Sequence, residues 1–456
     1  MGNEDKKHPL TRRTFLKAGL GVAGGLMLPA GLLNMSRAIA QGLPGALGNF
    51  PAGVAGDTVF MGLTCDLTGP YTEEGHDERR GYELAIEQLN SGDALARKVS
   101  PLTRKGVLGK TLKFGVADSQ TKPNAAVQAA KRFIHQDKAM VIQGSTSSAV
   151  AIALQNACDP EHTLFFSAIS GSNETTGKSC QRYGFRLCYF AYPAAKALSP
   201  VLVKEIGRNK KAAYLIPDYT YGHTTFDSVS EFTAKDGGWK VVSQQVHPLG
   251  ATDYGSYLIN IANSGADVLV AIDFGLDAVN SIKQAAQFGL LKKMTLVVPY
   301  MSAFLADELG PEIMQGVYVA NGFWWSLEND PAYPLAKDFV AAWRKKYNRT
   351  PRDAGYYAWL STMLWADGVE RAGSFHPAKV VQALEDGVNA KRPSPLGEVW
   401  FRAEDHQGMV NFPIMRGKKP ADMKSKDDLF EIVTVAKAVD VMPPVGHFGC
   451  TLGPYA

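Results

Sequence analysis

The sequence predicts an α/β protein made of two doubly wound α/β lobes. About ten short apolar runs lie along the chain, and segments long enough for a helix separate each run from the next. The runs lack polar alternation, which is typical of parallel strands that helices cover on both faces of a sheet. About ten strands are too many for one ordinary doubly wound sheet, so two lobes are the simpler prediction.

The individual strands and helices follow from these runs and from helical spacing. Strands are predicted at residues 59–63, 111–117, 140–142, 164–166, 212–216, 241–242, 268–272, 295–298 and 317–319. One helix is predicted from apolar residues spaced three and four apart, namely Tyr82, Ala85, Ile86 and Leu89. Two more are predicted at 125–136 and 147–157, with Asn124 as the N-cap of the first after Pro123.

The net charge argues against a nucleic-acid partner. The chain has 456 residues and a net charge of +4, and its first 40 residues hold six Lys or Arg against two Asp or Glu. The remainder therefore has equal numbers of basic and acidic residues. Without a basic surplus we expect no binding to nucleic acid, because such binding depends on neutralising phosphates.

Residues 1–40 are predicted to be an export signal. Arg12 and Arg13 precede an apolar, Gly-rich stretch, and a small-x-small cleavage site ends at Ala40. The paired arginines followed by Phe-Leu-Lys resemble a twin-arginine signal. A membrane anchor is the alternative, but the stretch is short for a span and diluted by glycine. We therefore expect a leader at 41–56 and a mature protein in the periplasm.

Neither a cofactor nor a metal is predicted. Residues 19–24 match G-x-G-x-x-G, but the strand and helix that a dinucleotide loop needs do not flank them. The five cysteines, which do not have metal-ligand spacing, are Cys65, Cys158, Cys180, Cys188 and Cys450. Export permits disulfides, and the odd number leaves at least one thiol free or paired between chains. Cys180 can pair with Cys158 or with Cys188, and the sequence does not choose.

Two hydroxyl-rich loops, 144–148 and 167–172, follow predicted strands. Ligands of open α/β sheets bind beyond the carboxyl ends of strands, and a helix N-terminus offers free N–H groups. A carboxylate, an amide or a urea-like carbonyl could dock there; the alternative is plain helix capping. Aromatic residues gather in neighbouring loops, at Tyr71, Tyr219, Tyr221, Phe274, Tyr300, Phe323, Trp324 and Trp325. For Phe323 and Trp324, packing between the lobes is the preferred interpretation.

No catalytic signature is found, so we predict that the protein is not an enzyme. The chain has no G-x-S-x-G, no H-E-x-x-H and no G-x-x-x-x-G-K-[ST], and its His residues are isolated. Acidic residues cluster after the first strand, at Asp66, Glu73, Glu74, Asp77 and Glu78. Their spacing does not match a calcium loop, so a solvated face is predicted.

Several stretches together resemble the periplasmic solute-binding proteins of ABC transporters, in the branched-chain amino acid, amide and urea group. The stretches are 67–70, 81–85, 144–148, 219–222 and 401–407. Each is weak alone, but their shared order and spacing, with the export signal, are specific.

The resemblance implies the type I fold of Leu/Ile/Val-binding proteins, with two α/β lobes joined by three hinge crossings. By this likeness the crossings lie near 189–191, 322–324 and 395–398. The implied domains are lobe 1 at 57–190 and 323–395, lobe 2 at 191–322 and 396–440, and a C-terminal tail at 441–456.

The resemblance also implies a ligand site in the cleft between the lobes. The ligand carboxylate would be held by the two first-lobe loops, at Ser145, Thr146, Ile169 (through its backbone), Ser170 and Gly171. Tyr221 matches a second-lobe tyrosine that closes over the ligand, and Phe274 lies at an aromatic pocket position.

The sequence departs from the amino-acid binders of this family at Tyr300. They place a Glu there to pair with the ligand ammonium, and Glu74 stands where an aromatic residue is common. An unpaired buried ammonium is unfavourable. Either Glu74 or Asp273 supplies the charge, or the ligand is not an α-amino acid. We favour the second, with a carboxylate that has an aromatic or apolar body, or an amide or urea, as the ligand.

Taken with the family, these observations predict an exported receptor of an ABC importer. It would capture a small polar or carboxylate-bearing molecule and deliver it to a membrane permease, as a monomer. Two other functions stay open: an exported hydrolase or oxidoreductase, and a sensory ligand-binding subunit.

Overall fold

The computed structural model describes residues 55–455. The predicted signal peptide, 1–40, and nearly all of the predicted leader, 41–56, lie outside the described residues. Within 55–455, no helix combines the length and the apolar character that a membrane span requires.

The strands largely follow the apolar runs. Numbered in chain order, they are β1 (Thr58–Cys65), β2 (Thr111–Asp118), β3 (Val141–Gly144), β4 (Leu164–Ser167), β5 (Gly184–Arg186), β6 (Lys211–Pro217), β7 (Lys240–His247), β8 (Val268–Ala271), β9 (Thr295–Val298), β10 (Tyr318–Ala320), β11 (Arg392–Ser394), β12 (Gly397–Phe401), β13 (Gly408–Met409), β14 (Phe412–Gly417) and β15 (Phe430–Ala436). Each predicted strand overlaps one of β1–β4 or β6–β10. The sequence does not predict β5 or β11–β15, which are short or carry polar residues among the apolar ones.

Helices occupy most of the segments between the strands. They are α1 (Thr72–Ser91), α2 (Ala94–Val99), α3 (Pro123–His135), α4 (Ser148–Cys158), α5 (Ala191–Ile206), α6 (Thr220–Gly237), α7 (Gly255–Ala262), α8 (Gly275–Gln287), α9 (Ala303–Met314), α10 (Pro334–Tyr347), α11 (Asp353–Ala372), α12 (Pro377–Leu384) and α13 (Ala438–Val441). The predicted N-cap at Asn124 is wrong, because α3 begins at Pro123 with Lys122 as its N-cap. Proline suits the first helical position, where a backbone N–H would have no helical partner.

The first sheet is parallel and buried on both faces. Its strand order is β2–β1–β3–β4–β5, and every pairing in it is parallel. Val141 packs in the cluster that contains α1, whereas its neighbour Ile142 packs with α3 and α4 on the other face. Both faces of a strand are therefore apolar, which is why these runs show no polar alternation.

The second sheet is mixed and has the order β15–β14–β10–β9–β8–β6–β7. Strands β6 to β10 pair in parallel, and β14 and β15 add to the edge in antiparallel orientation. Two separate sheets with helices on their faces confirm the predicted α/β fold with two lobes.

The chain passes between the two sheets at three places: after β5, after β10 and between β13 and β14. The last passage lies later than the crossing predicted near 395–398. Phe401 of β12 packs edge-on against Phe166 and Phe185, at centroid distances of 5.7 and 5.0 Å, so this hairpin lies on the first sheet. The chain joins the second sheet only at Phe412.

Helices α1 and α11 approach very closely on the first lobe. A Cβ atom built on Gly81 would lie 2.2 Å from the carbonyl oxygen of Gly355, so neither helix could come so near with a side chain at position 81. This contact places the acidic first turn of α1 beside the start of α11, next to the cleft.

The C-terminal tail returns from the second lobe to the first and is fixed there by a disulfide. Cys180 is bonded to Cys450, 270 residues away, so the predicted partners Cys158 and Cys188 are wrong. Both of those thiols are buried and free, as is Cys65. The predicted pairings did not include the tail cysteine, because only folding brings the tail to Cys180.

Aromatic and polar contacts hold the rest of this tail. Phe448 packs edge-on against Phe190 at 6.3 Å and Tyr192 at 5.6 Å, beside the first passage between the sheets. The Tyr455 hydroxyl donates to Glu385 at 2.6 Å. The tail is thus a further connection between the lobes, in addition to the three passages.

Replacing Cys450 with serine should lower the free energy of unfolding by about 2–4 kcal/mol, because a cross-link that closes a long loop restricts the unfolded chain. Chemical denaturation of the wild type with and without reductant measures the effect, and Cys450→Ser should be insensitive to reductant. Thiol titration of the unreduced, denatured wild type should find the three free cysteines. Five titratable thiols would contradict the assigned pairing.

Candidate functional site

The strand order places the predicted loops at two switch points. In the first sheet β1 lies between β2 and β3, and in the second β6 lies between β7 and β8. At such a point successive connections leave the sheet in opposite directions and open a crevice beyond the carboxyl ends of the strands. Ligands of open α/β sheets bind in that crevice.

The first hydroxyl-rich loop is held by a buried carboxylate whose role the sequence did not reveal. One oxygen of Asp66 accepts hydrogen bonds from the Ser145 hydroxyl at 2.7 Å and the Thr146 backbone N–H at 2.9 Å. The other accepts from the Ser119 hydroxyl. Burial raises the pKa of Asp66, and these hydrogen bonds act in the opposite direction. Ser145 therefore uses its hydroxyl proton to shape the loop.

The acidic residues after β1 do not form a solvated face, so that prediction is wrong. Four of them are at most 3% exposed: Asp66, Glu74, Asp77 and Glu78. Helix α11 packs on α1, which carries three of them, and the Gly355 N–H donates to Asp77 at 2.8 Å. The Thr146 hydroxyl donates to Glu78 at 2.9 Å, and burial holds the pKa of Glu78 well above its usual value.

The second hydroxyl-rich loop is held by Arg186, a residue that the sequence did not single out. Its buried guanidinium donates to the backbone carbonyls of Ser170, at 3.0 Å, and Ser172. The Ser170 hydroxyl is hydrogen-bonded to the Thr175 hydroxyl at 2.6 Å. As in the first loop, the hydroxyl of the predicted serine is hydrogen-bonded within the protein. The backbone around this serine is the part that a ligand can contact.

Three aromatic residues of the second lobe converge on this loop. The ring centroids of Tyr221 and Tyr300 are 6.1 Å apart, and Phe274 lies 6.4 and 5.7 Å from them. The rings meet edge to face, a favourable arrangement. A Cβ atom on Gly171 would lie 2.7 Å from Cδ2 of Tyr221, so glycine is required for this contact between the lobes.

A narrow cavity lies between these groups, with room for about one water molecule while the lobes are closed. Six of the predicted site residues line it: Thr146, Ile169, Gly171, Tyr221, Phe274 and Tyr300. Ser148 and Tyr219 line it as well, and both lie in stretches that carry the family resemblance. The remaining predicted residues are not part of this lining: Ser145, Ser170, Glu74 and Asp273.

The two lobes touch directly beside the cavity. The hydroxyls of Tyr71 and Tyr219 are 2.6 Å apart, and those of Ser172 and Thr220 are 2.7 Å apart. The first member of each pair belongs to the first lobe and the second to the second lobe. The structure therefore shows the lobes closed on one another.

Asp273 is paired with a histidine. Nε2 of His247 lies 2.6 Å from Oδ1 of Asp273, and both side chains are fully buried. Nδ1 of His247 lies 2.9 Å from the carbonyl oxygen of Pro248, which can only accept, so both ring nitrogens need a proton. Burial lowers the pKa of His247, but the hydrogen bond and charge of Asp273 outweigh burial and raise it. The imidazolium balances the Asp273 charge.

Glu74 is also not a fixed negative charge. Burial raises its pKa to about 7, and burial raises the pKa of Asp353 on α11 to about 7 as well. The Ser302 hydroxyl of the second lobe acts to lower the pKa of Glu74. Within the described residues, however, neither carboxyl oxygen has a hydrogen bond of ordinary geometry. At pH 7 such a carboxyl is about half protonated.

The hydroxyl groups of Tyr221 and Tyr300 are buried and make no hydrogen bond of ordinary geometry within residues 55–455, although Thr225 and Cys188 lie near them. The same residues contain no group of three or more His, Cys, Asp or Glu that could hold a metal ion. The site thus offers aromatic surface, hydroxyls and backbone N–H groups to a small molecule.

Comparison with known proteins agrees with this architecture. The chain is 26% identical over 350 residues to the Leu/Ile/Val-binding protein homolog 7 of Brucella abortus (strain 2308), covering 73% of this chain and 82% of that protein. The amino acid ABC transporter substrate-binding protein of Pseudomonas fluorescens Pf-5 has 27% identity and a TM-score of 0.76, covering 87% of this chain and 100% of that one.

A second solved structure has the same fold and a known ligand. It is an ABC transporter solute-binding protein from Rhodopseudomonas palustris BisB5 in complex with 3,4-dihydroxybenzoic acid, with 20% identity and a TM-score of 0.72, covering 85% of this chain and 99% of that one. The family model for periplasmic binding proteins matches residues 58–424. This match shows that the chain belongs to the periplasmic binding protein family, as a solute-binding receptor of the ABC transporter type, and the family implies a periplasmic location.

Proposed function

We propose that this receptor captures a small carboxylate with an aromatic or apolar body, and not an α-amino acid. The observation that carries the proposal is that no free counter-charge for an ammonium group is found among the described residues at the cavity. Asp273 is paired with His247, and the pKa of Glu74 is about 7. Tyr300 stands where the amino-acid binders place a Glu. A ligand ammonium would be buried there without a partner, which is unfavourable.

The first lobe supplies donors for the carboxylate. Helix α4 begins at Ser148, which lines the cavity, and its N-terminus has unpaired N–H groups and a partial positive charge. Gly171 of the second loop lines the cavity as well. We place the ligand carboxylate between these two backbone segments.

The second lobe supplies the surface for the body of the ligand. Tyr221, Phe274 and Tyr300 present ring faces and edges, and the two tyrosine hydroxyls can bond to polar substituents on a ring. The Rhodopseudomonas palustris neighbour, which is bound to 3,4-dihydroxybenzoic acid, supports the same ligand class.

Ligand binding would shift the equilibrium between the open and closed forms of the receptor. A ligand that touches Gly171 on one lobe and Tyr221 on the other interacts with the closed form more than with the open form, so it favours closure. The closed receptor would then dock on a membrane permease. We further propose that the protein is exported by the twin-arginine signal within residues 1–40, acts as a monomer and catalyses no reaction.

Isothermal titration of the purified protein should show binding of benzoate or a hydroxylated benzoate at least tenfold tighter than binding of leucine. The reason is the lack of a partner for the leucine ammonium. Benzamide and urea complete the panel, since both share the carbonyl and lack the charge. Tight binding of leucine with no other hit would refute the proposed ligand class.

The Tyr221→Ala variant should bind the ligand about 30-fold more weakly, a loss of about 2 kcal/mol, because it removes the ring that closes over the cavity. Titration and thermal unfolding of the same samples separate a binding defect from a folding defect. Tyr333→Ala, which changes a tyrosine outside the cavity lining, is the matched control and should bind as the wild type does. Unchanged binding by Tyr221→Ala would exclude this residue from the site.

The free energy of unfolding should fall as the pH rises from about 5 to 8. The ordinary pKa of a Glu is 4.5 and that of Glu74 in the folded chain is about 7, so ionising Glu74 costs the folded form free energy from pH 4.5 upward, in full above pH 7. The Glu74→Gln variant, neutral throughout, should lose less stability between pH 5 and pH 8 than the wild type loses.

Chemical denaturation at several pH values measures this effect. Glu73→Gln changes the neighbouring, partly exposed carboxylate and serves as the control, with the wild-type pH dependence expected. A residual slope in Glu74→Gln is expected from Asp353, whose pKa is also about 7. Identical pH profiles for Glu74→Gln and the wild type would show that burial does not hold Glu74 protonated.

A further inference from the structure

We propose that Arg186 is a positioning and charge-selecting residue for the ligand: it holds the 170–172 loop so that the Gly171 N–H faces the cavity, and its buried positive charge selects a carboxylate over a neutral analogue. The inference rests on the proposed function, because it needs a carboxylate in the cavity. No residue in the resemblance to the family suggested this role.

The guanidinium of Arg186 is fully buried and uses each of its nitrogens. Nη1 donates to the carbonyls of Ser170 and Ser172, Nη2 donates to the Thr176 hydroxyl at 2.6 Å, and Nε donates to Oε1 of Gln407 at 2.7 Å. Three of these four bonds go to a single stretch of chain, 170–176. A planar fork of donors is required to hold several acceptors at once, and an ammonium group cannot replace it.

The direction of these bonds orients the loop backbone. In a trans peptide the carbonyl and the following N–H point in opposite directions. The cis peptide in the described chain lies between Gly144 and Ser145, outside this loop. Because the Ser170 carbonyl points at Arg186, the Gly171 N–H points away from Arg186, and Gly171 lies in the cavity wall. Arg186 thus orients the Gly171 N–H, which donates to the ligand, without contacting the ligand itself.

The charge of Arg186 is not neutralised by an ion pair. No carboxylate of the described chain lies within salt-bridge distance of its guanidinium, although Phe190 stacks beneath it at 3.9 Å. Burial lowers its pKa to about 10, so the group is still charged at neutral pH. A buried positive charge without an anionic partner is unfavourable. An anion bound at Gly171 would be separated from Arg186 only by the loop backbone, so its charge would stabilise the guanidinium.

The test compares a carboxylate with its neutral amide, because a merely structural residue would affect both alike. Benzoate and benzamide are titrated into the wild type, Arg186→Gln and Arg371→Gln. Arg371 is a mostly buried arginine already paired with Asp367, so it is the matched control. We expect Arg186→Gln to reduce the benzoate-to-benzamide affinity ratio at least tenfold, and Arg371→Gln to leave it within twofold. Equal loss of both ligands in Arg186→Gln would overturn the proposal.

A second variant keeps the test decisive if Arg186→Gln does not fold. Arg186→Lys retains the charge but cannot bond to both carbonyls, so it should keep the affinity ratio within about threefold and bind both ligands at least tenfold more weakly. Wild-type affinity for both ligands in Arg186→Lys would overturn the positioning role.

The same design separates this inference from the proposed ligand class. If the wild type binds leucine and not benzoate, the ligand class is wrong, and leucine and leucinamide then replace the benzoate pair in the same variants. A tenfold drop of the leucine-to-leucinamide ratio in Arg186→Gln would still support the role of Arg186. An unchanged ratio would overturn that role as well.

Discussion

Two buried side chains hold the two hydroxyl-rich loops of the first lobe, and the rest of the candidate site depends on them. Asp66 accepts from the Ser145 hydroxyl and the Thr146 N–H, and Arg186 donates to the carbonyls of Ser170 and Ser172. These bonds fix the backbone of the two loops, and a preorganised backbone loses less entropy when it binds a ligand.

The electrostatics of the cleft are consistent with an anionic ligand. Asp273 has its own imidazolium partner, and the acidic turn of α1 lies in an environment that raises the pKa of Glu74 to about 7. Arg186, in contrast, is a positive charge without a salt-bridge partner among the described residues. The acidic side of the cleft thus has a paired carboxyl and a partly protonated one, and the basic side, where we propose that the ligand carboxylate binds, has an arginine without an ion pair.

Closure and the C-terminal tail involve the same region of the hinge. Tyr189 of the first passage stacks between Tyr300, at 4.3 Å, and Phe412, at 4.2 Å, so it connects an aromatic residue of the cavity wall to the start of β14. Phe448 of the tail packs on Phe190, the next residue of the first passage. The first passage thus contacts the cavity wall through Tyr189 and the tail through Phe190.

The sequence by itself determined the two-lobed α/β fold, because buried parallel strands need continuous apolar runs, and it also identified most of the cavity wall. Thr146, Gly171, Tyr221 and Tyr300 follow strand ends, where parallel sheets always open. Only the tertiary structure decided which polar groups are free. Asp66 and Ser145 are 79 residues apart, Arg186 and Gln407 221, and Cys180 and Cys450 270. Local periodicity holds no information about contacts at such separations, since they form only when distant segments pack together.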